Sequence, residues 1–115
     1  MSQYHEPVEK LDEKTMDTTR ALVSLQEEIE AVDWYNQRIT ASNNPELQAI
    51  LKHNRNEEIE HAAMLIEWLR RNAEHWDEEL RTYLFTEGDI TELEEASMSG
   101  EDGEAESNLK IGDLK

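Results

Sequence analysis

Residues 54–68 read NRNEEIEHAAMLIEW, and the period of this stretch decides the fold. Leu51, Asn54, Glu58, His61, Leu65 and Trp68 follow one another at spacings of 3, 4, 3, 4 and 3, the seam of a helix that faces a bundle. The ends of that seam are apolar and its middle is Asn, Glu and His. Ionisable groups on a buried seam cost several kcal/mol unless they are paired or hold a metal. Glu58 and His61 are three residues apart, so one ion can reach both. An inward Glu-x-x-His pair is a half-site of the helical bundles that hold two metal ions between carboxylates. With 21 glutamates in 115 residues the tetrapeptide alone is common. Its register with Leu51 and Leu65 is what sets it apart from a solvated acidic face.

Upstream, a long helix is predicted from about Asp12 to Ser42. Leu22, Leu25, Ile29 and Val32 form a heptad-like stripe that Ile39 continues, with no Gly or Pro inside the run. About 30 residues at 1.5 Å each make a rod of roughly 45 Å. Ser42-Asn43-Asn44-Pro45 stops it and starts the next helix, with Asn44 as cap and Pro45 in the first position. So short a connection makes the two helices antiparallel neighbours. The second helix spans Pro45 to Asn72 and closes on Arg70 and Arg71, where cations suit the helix dipole. A shorter helix over about Ala73–Phe85 follows, with Trp76, Leu80, Tyr83 and Leu84. The expected fold is all-α: an antiparallel hairpin plus a short C-terminal helix. Two helices alone bury too little to be stable, so self-association is expected from packing.

The remainder of the chain is polar. Residues 1–11 read as an arm containing a solvated His5. Residues 86–107 form an acidic linker, with a brief helix over Asp89–Ser97. Residues 108–115, NLKIGDLK, place Leu109, Ile111 and Leu114 around Gly112, the pattern of a short anchor on a tether. The formal charge of −17 argues against nucleic acid and anionic membranes and suits attraction of cations. There is no cysteine for a thiolate site, no apolar run of membrane-spanning length and no signal-peptide core in MSQYHEPVEK. A cytoplasmic location is expected.

On the first helix Glu28 lies three after Leu25 and four before Val32, so it turns inward with apolar neighbours. Glu27 and Glu30 are offset and form a stripe of their own with Trp34, either a second carboxylate group or ordinary solvated acids. Tyr35, two turns from Glu28 on its face, is a candidate hydrogen-bonding group behind the centre or a core-edge tyrosine. His53 falls off the seam and His75 lies beyond the second helix, so both read as surface groups, and Trp68 and Trp76 read as packing. One chain thus offers half of a two-metal site. A symmetric dimer would complete it, with Glu28, Glu58 and His61 from each hairpin in a four-helix bundle. Four carboxylates and two imidazoles suit iron or manganese.

Three segments, SLQEEIEAVDWYNQR, HNRNEEIEHAAMLIEWLRR and LRTYLFTEG, closely resemble the encapsulated ferritins. The resemblance covers roughly residues 5–90. It implies a ferroxidase that oxidises Fe(II) with O2, two iron ions per dimer, dimers assembled into a decameric ring, and residence inside an encapsulin nanocompartment that stores the ferric mineral. It places the ferroxidase ligands on Glu28, Glu58 and His61. It places a metal-access site, for calcium or another divalent ion, on Glu27 and Glu30 with Trp34 beside it, and a tyrosine near the centre on Tyr35. The tail with Leu109, Ile111, Gly112 and Leu114 resembles an encapsulin-targeting peptide. Two other readings stay open on the residues alone. One is a non-catalytic acidic helical oligomer that docks through its tail. The other is a di-metal oxidase of another substrate.

Overall fold

The structure, a computed structural model, describes residues 3–99. Among the described residues every regular element is helical. A 3-10 turn, Val8–Lys10, precedes α1 (Glu13–Ala41), α2 (Pro45–Asn72), α3 (Trp76–Tyr83) and α4 (Ile90–Ser99). One compact unit ends at Asn72 and a second begins at Ala73. None of these helices is long and apolar enough to cross a membrane. The anchor residues Leu109, Ile111, Gly112 and Leu114 lie outside the described residues.

The first unit is the antiparallel hairpin of α1 and α2. Asp12 caps α1 by accepting from the Thr15 amide at 2.7 Å, and that bond holds its carboxyl below the ordinary value. Ser42 ends α1 in extended backbone, so the predicted end residues prove to be its two caps. Asn44 accepts from the Leu47 amide at 2.9 Å, leaving Pro45 in the first turn, where a missing N–H costs nothing. The last turn of α1 also receives help from α2. Gln48 donates from Nε2 to the carbonyl of Ile39 at 3.1 Å and to that of Ser42. These bonds satisfy carbonyls that a helix end leaves open. Because Asn44 satisfies an otherwise orphaned donor, Asn44→Ala should destabilise the protein by about 1 kcal/mol. Scanning calorimetry should then show a midpoint lower by about 4–8 °C, and an unchanged midpoint would mean the cap is idle.

At the other end of α2, Glu67 is held by Arg70 and Arg71 at 2.8 and 2.7 Å, which draws its carboxyl down to about 2. This contribution is present above the usual carboxylate range and is lost as pH falls toward that value.

Packing in the hairpin is one-sided. Ala21, Leu25 and Leu69 are its buried side chains, whereas Leu22, Ile29, Trp34, Ile50, Ile59 and Met64 are between 41% and 58% exposed. The seam predicted to be buried is only half-buried: Leu51, Asn54, Glu58, His61, Leu65 and Trp68 all keep contact with solvent. A hairpin covers a seam from one side only, and these apolar side chains of the other side stay in contact with solvent.

The second unit packs α3 against α4. The third helix is shorter than the predicted Ala73–Phe85. His75 takes a left-handed backbone with φ 71° and Phe85 one with φ 60°, so helical hydrogen bonding cannot run through either. The brief helix expected at Asp89–Ser97 begins one residue later and runs to Ser99, within the stretch read as linker. Asp89 Oδ1 caps it, accepting from the Thr91 amide at 3.0 Å and the Thr91 hydroxyl at 2.6 Å.

Candidate metal centre

Glu28 comes from α1, and Glu58 and His61 come from α2. Antiparallel packing puts the middle of one helix opposite the middle of the other, so residues 30 apart in sequence become neighbours. His61 Nδ1 lies 3.5 Å from Glu28 Oε2 and 3.5 Å from Glu58 Oε1. One ligand atom from each of the three lies within 4.8 Å of the others, and this is the one such trio of His, Asp or Glu among the described residues. Metal–ligand distances of roughly 2.0–2.6 Å allow two donors on one ion to stand about 4–5 Å apart. The separations found here fit a single shared cation.

The electrostatics are those of an incomplete site. Glu28 Oε2 is a buried oxygen with no hydrogen-bond partner. At 3.5 Å the imidazole nitrogen stands beyond a good hydrogen bond. Native structures leave few such atoms unsatisfied, and an absent ion is a recognised reason. Burial pushes the Glu28 carboxyl up, and the adjoining Glu58 carboxyl adds to the rise, with His61 opposing both. The surroundings therefore disfavour ionised Glu28, and a bound cation would offset them.

The sign of the pH dependence follows. A carboxyl raised in the folded state contributes stability below its unfolded value and loses it as pH rises through the folded one. Glu28→Gln removes that loss, so the metal-free variant should melt at or above the parent temperature at neutral pH. The two should converge near pH 4. Melting curves across this range test it, and a variant that melts lower at neutral pH would contradict the assignment. Removal of the carboxylate should also abolish stabilisation by added divalent metal.

The remaining predicted residues stand apart from this trio. Glu27 and Glu30 are exposed and do not join the cluster, and Trp34 beside them is 48% exposed. Tyr35 is half-buried, with the Arg38 guanidinium 5.3 Å from its ring centroid. His5, His53 and His75 are exposed, as predicted. Sequence reasoning missed Asn36, Gln48 and Arg55, which tie α1 to α2 through side-chain hydrogen bonds. A clue was present in Arg55, one turn before Glu58 on the same helix.

The EncFtn-like family pattern matches residues 3–87 of the chain. The chain belongs to the EncFtn-like family. An encapsulated ferritin-like protein of Rhodospirillum rubrum is 55% identical over 121 aligned residues, covering 96% of this chain and 86% of that one. A ferritin-like protein of Thermotoga maritima is 60% identical over 98 residues, covering 85% of this chain and 86% of its own length. A Nitrosomonas europaea protein of known crystal structure superimposes with a TM-score of 0.74 at 55% identity, over 77% of this chain and 98% of that one. The EncFtn-like hairpin is thus the scaffold on which Glu28, Glu58 and His61 converge. The helical fold and the trio accord with a ferritin-like protein that carries a candidate metal site.

Proposed function

We propose that this protein is a ferroxidase, oxidising Fe(II) to Fe(III) with O2 at a di-iron centre shared by two subunits. The observation that carries the reading is the trio itself: two carboxylates and an imidazole from facing helices, with Glu28 Oε2 buried and unsatisfied. Hard oxygen donors with imidazole suit iron. Iron here is the substrate, and each Fe(II) ion gives up one electron to dioxygen. Glu28 and Glu58 bind the cation, and Glu28 gives up the proton that burial favours in its absence. His61 fixes its position with a neutral donor. The charge of −17 raises the local concentration of Fe(II).

One hairpin presents half of the donors a ferritin-like pair of metals requires. The exposed apolar residues of α1 and α2 supply a face on which a second copy completes both the packing and the site. Dimers joined into a decameric ring, with Glu27 and Glu30 as a metal-access site beside Trp34 and Tyr35 behind the centre, extend the same reading. Calcium or another divalent ion would suit those outer carboxylates. In this arrangement residues 12–85 carry the chemistry and 1–11 are an arm. Residues 86–107, helical in part, serve as the linker, and 108–115 dock to an encapsulin shell in whose lumen the ferric product accumulates.

Stopped-flow mixing of the anaerobic Fe(II)-loaded protein with aerated buffer tests the activity, by the growth of ferric absorbance above the buffer rate. Deletion of residues 108–115 should leave that rate unchanged and abolish co-purification with a co-expressed shell. A chain that gains no rate over buffer is the acidic oligomer of the competing reading instead.

A further inference from the structure

We infer that Arg55 is a positioning residue for the metal centre, clamping α2 to α1 through Asn36 so that Glu58 and His61 stay opposite Glu28. The inference rests on the reading of those three residues as metal ligands. Arg55 donates from Nη1 to Asn36 Oδ1 at 3.1 Å, from one helix of the hairpin to the other. Its Nε and Nη2 donate to Asn56 Oδ1 at 3.2 and 3.1 Å, which props the guanidinium in the orientation that reaches Asn36. All three bonds use the planar fork of arginine, which an ammonium cannot reproduce.

The placement of the clamp gives it its task. The buried side chains of the hairpin, Ala21, Leu25 and Leu69, all lie on the side of the trio away from the 42–44 connection. Between the trio and that connection no side chain of α1 or α2 is buried. Fully buried packing therefore lies on one flank of the centre, and on the other, where Val32, Ile39 and Leu51 are only half-buried, polar ties add to it. Arg55 sits three residues before Glu58, roughly 4.5 Å along the helix axis, so its bond is the near tie. Gln48 supplies the far one at the connection. A tie is needed at this point because the donors come from two different helices and must stay within 4.8 Å of one another. Without it the helices splay, and Glu28 and Glu58 separate beyond the reach of one ion.

The choice of partners is also informative. Arg20, Arg70, Arg71 and Arg81 all donate to carboxylates. Arg55, in a chain with 28 acidic residues, donates to two carboxamides.

Anaerobic titration with Co(II), a redox-stable ion with a visible spectrum, separates position from charge. Arg55→Ala, Arg55→Lys and Asn36→Ala should each bind Co(II) about tenfold more weakly than the parent, with altered band intensities, the range seen when a residue supporting metal ligands is removed. Arg55→Ala/Asn36→Ala should bind no more weakly than either single variant. Asn36→Asp, which accepts the same guanidinium in a charge-assisted bond, should bind as the parent does. Circular dichroism checks that each variant folds, and the two conservative variants carry the test if the alanine variants do not. Parental affinity in Arg55→Lys would assign the effect to charge and overturn the clamp, as would parental affinity in Asn36→Ala or additive losses in the double variant. Those outcomes leave the ligand assignment standing. A parent that takes up no Co(II) overturns the ligand assignment, and the clamp with it.

Discussion

Glu58→Ala and His61→Ala are each expected to slow Fe(II) oxidation at least tenfold, and about a hundredfold where the lost ligand is not replaced by water. No fourth His, Asp or Glu joins the trio among the described residues, so no neighbour stands ready to substitute. Even residues that only support metal ligands are worth roughly 10–100-fold, and a ligand should be worth no less. The loss should lie in oxidation and in metal affinity together, since binding and chemistry use the same atoms. Stopped-flow rates over a range of Fe(II) concentrations would separate the two. The substitutions should not unfold the protein. Both side chains are partly exposed, at 26% for Glu58 and 43% for His61, and removing Glu58 relieves its pressure on Glu28. Either variant oxidising iron at the parental rate would refute the proposed centre outright.

The second large effect concerns the partner copy. Ile29 follows Glu28 directly and is 56% exposed, and Leu22, seven residues before it, is 41% exposed. On the proposed reading both are covered when two hairpins join. Ile29→Lys is expected to release monomers, because a two-fold interface repeats the substitution and desolvates two charges at once. Light scattering coupled to gel filtration should show the mass drop to a single chain at low micromolar concentration. Oxidation should fall with it to near the buffer rate, although every proposed ligand is intact. Ile29→Leu should keep both mass and rate. A monomeric Ile29→Lys protein that turns over iron as fast as the parent would remove the need for a shared site.

The two expectations differ in how far the amino-acid order supports them. The helices were legible because their signals are local. Asp12, Ser42, Asn44 and Pro45 act on backbone groups within four residues, and the structure uses Asp12 and Asn44 as caps and Pro45 at the start of α2. The start of α3 was not legible. Nothing in Ala73-Glu74-His75 announces a left-handed histidine, and a helix-forming composition led the prediction three residues too far upstream. The inward turn of Glu28, Glu58 and His61 was legible as well. Helical period relates each of them to apolar neighbours on its own helix. The depth of the seam was overestimated, since burial depends on what covers a helix from outside.

By itself the sequence determined two long helices, their antiparallel pairing and the three side chains that turn toward one another. Periodicity and a three-residue connection leave few other arrangements. Tertiary structure decided the rest. It set the 3.5 Å approach of His61 to both carboxylates, and it left Glu28 Oε2 buried without a partner. It also joined Arg55 to Asn36 across 19 residues of chain. Such facts depend on the axial register of one helix against another. No local preference encodes that register, because it is the joint result of packing, repulsion between carboxyls and the reach of a few long side chains.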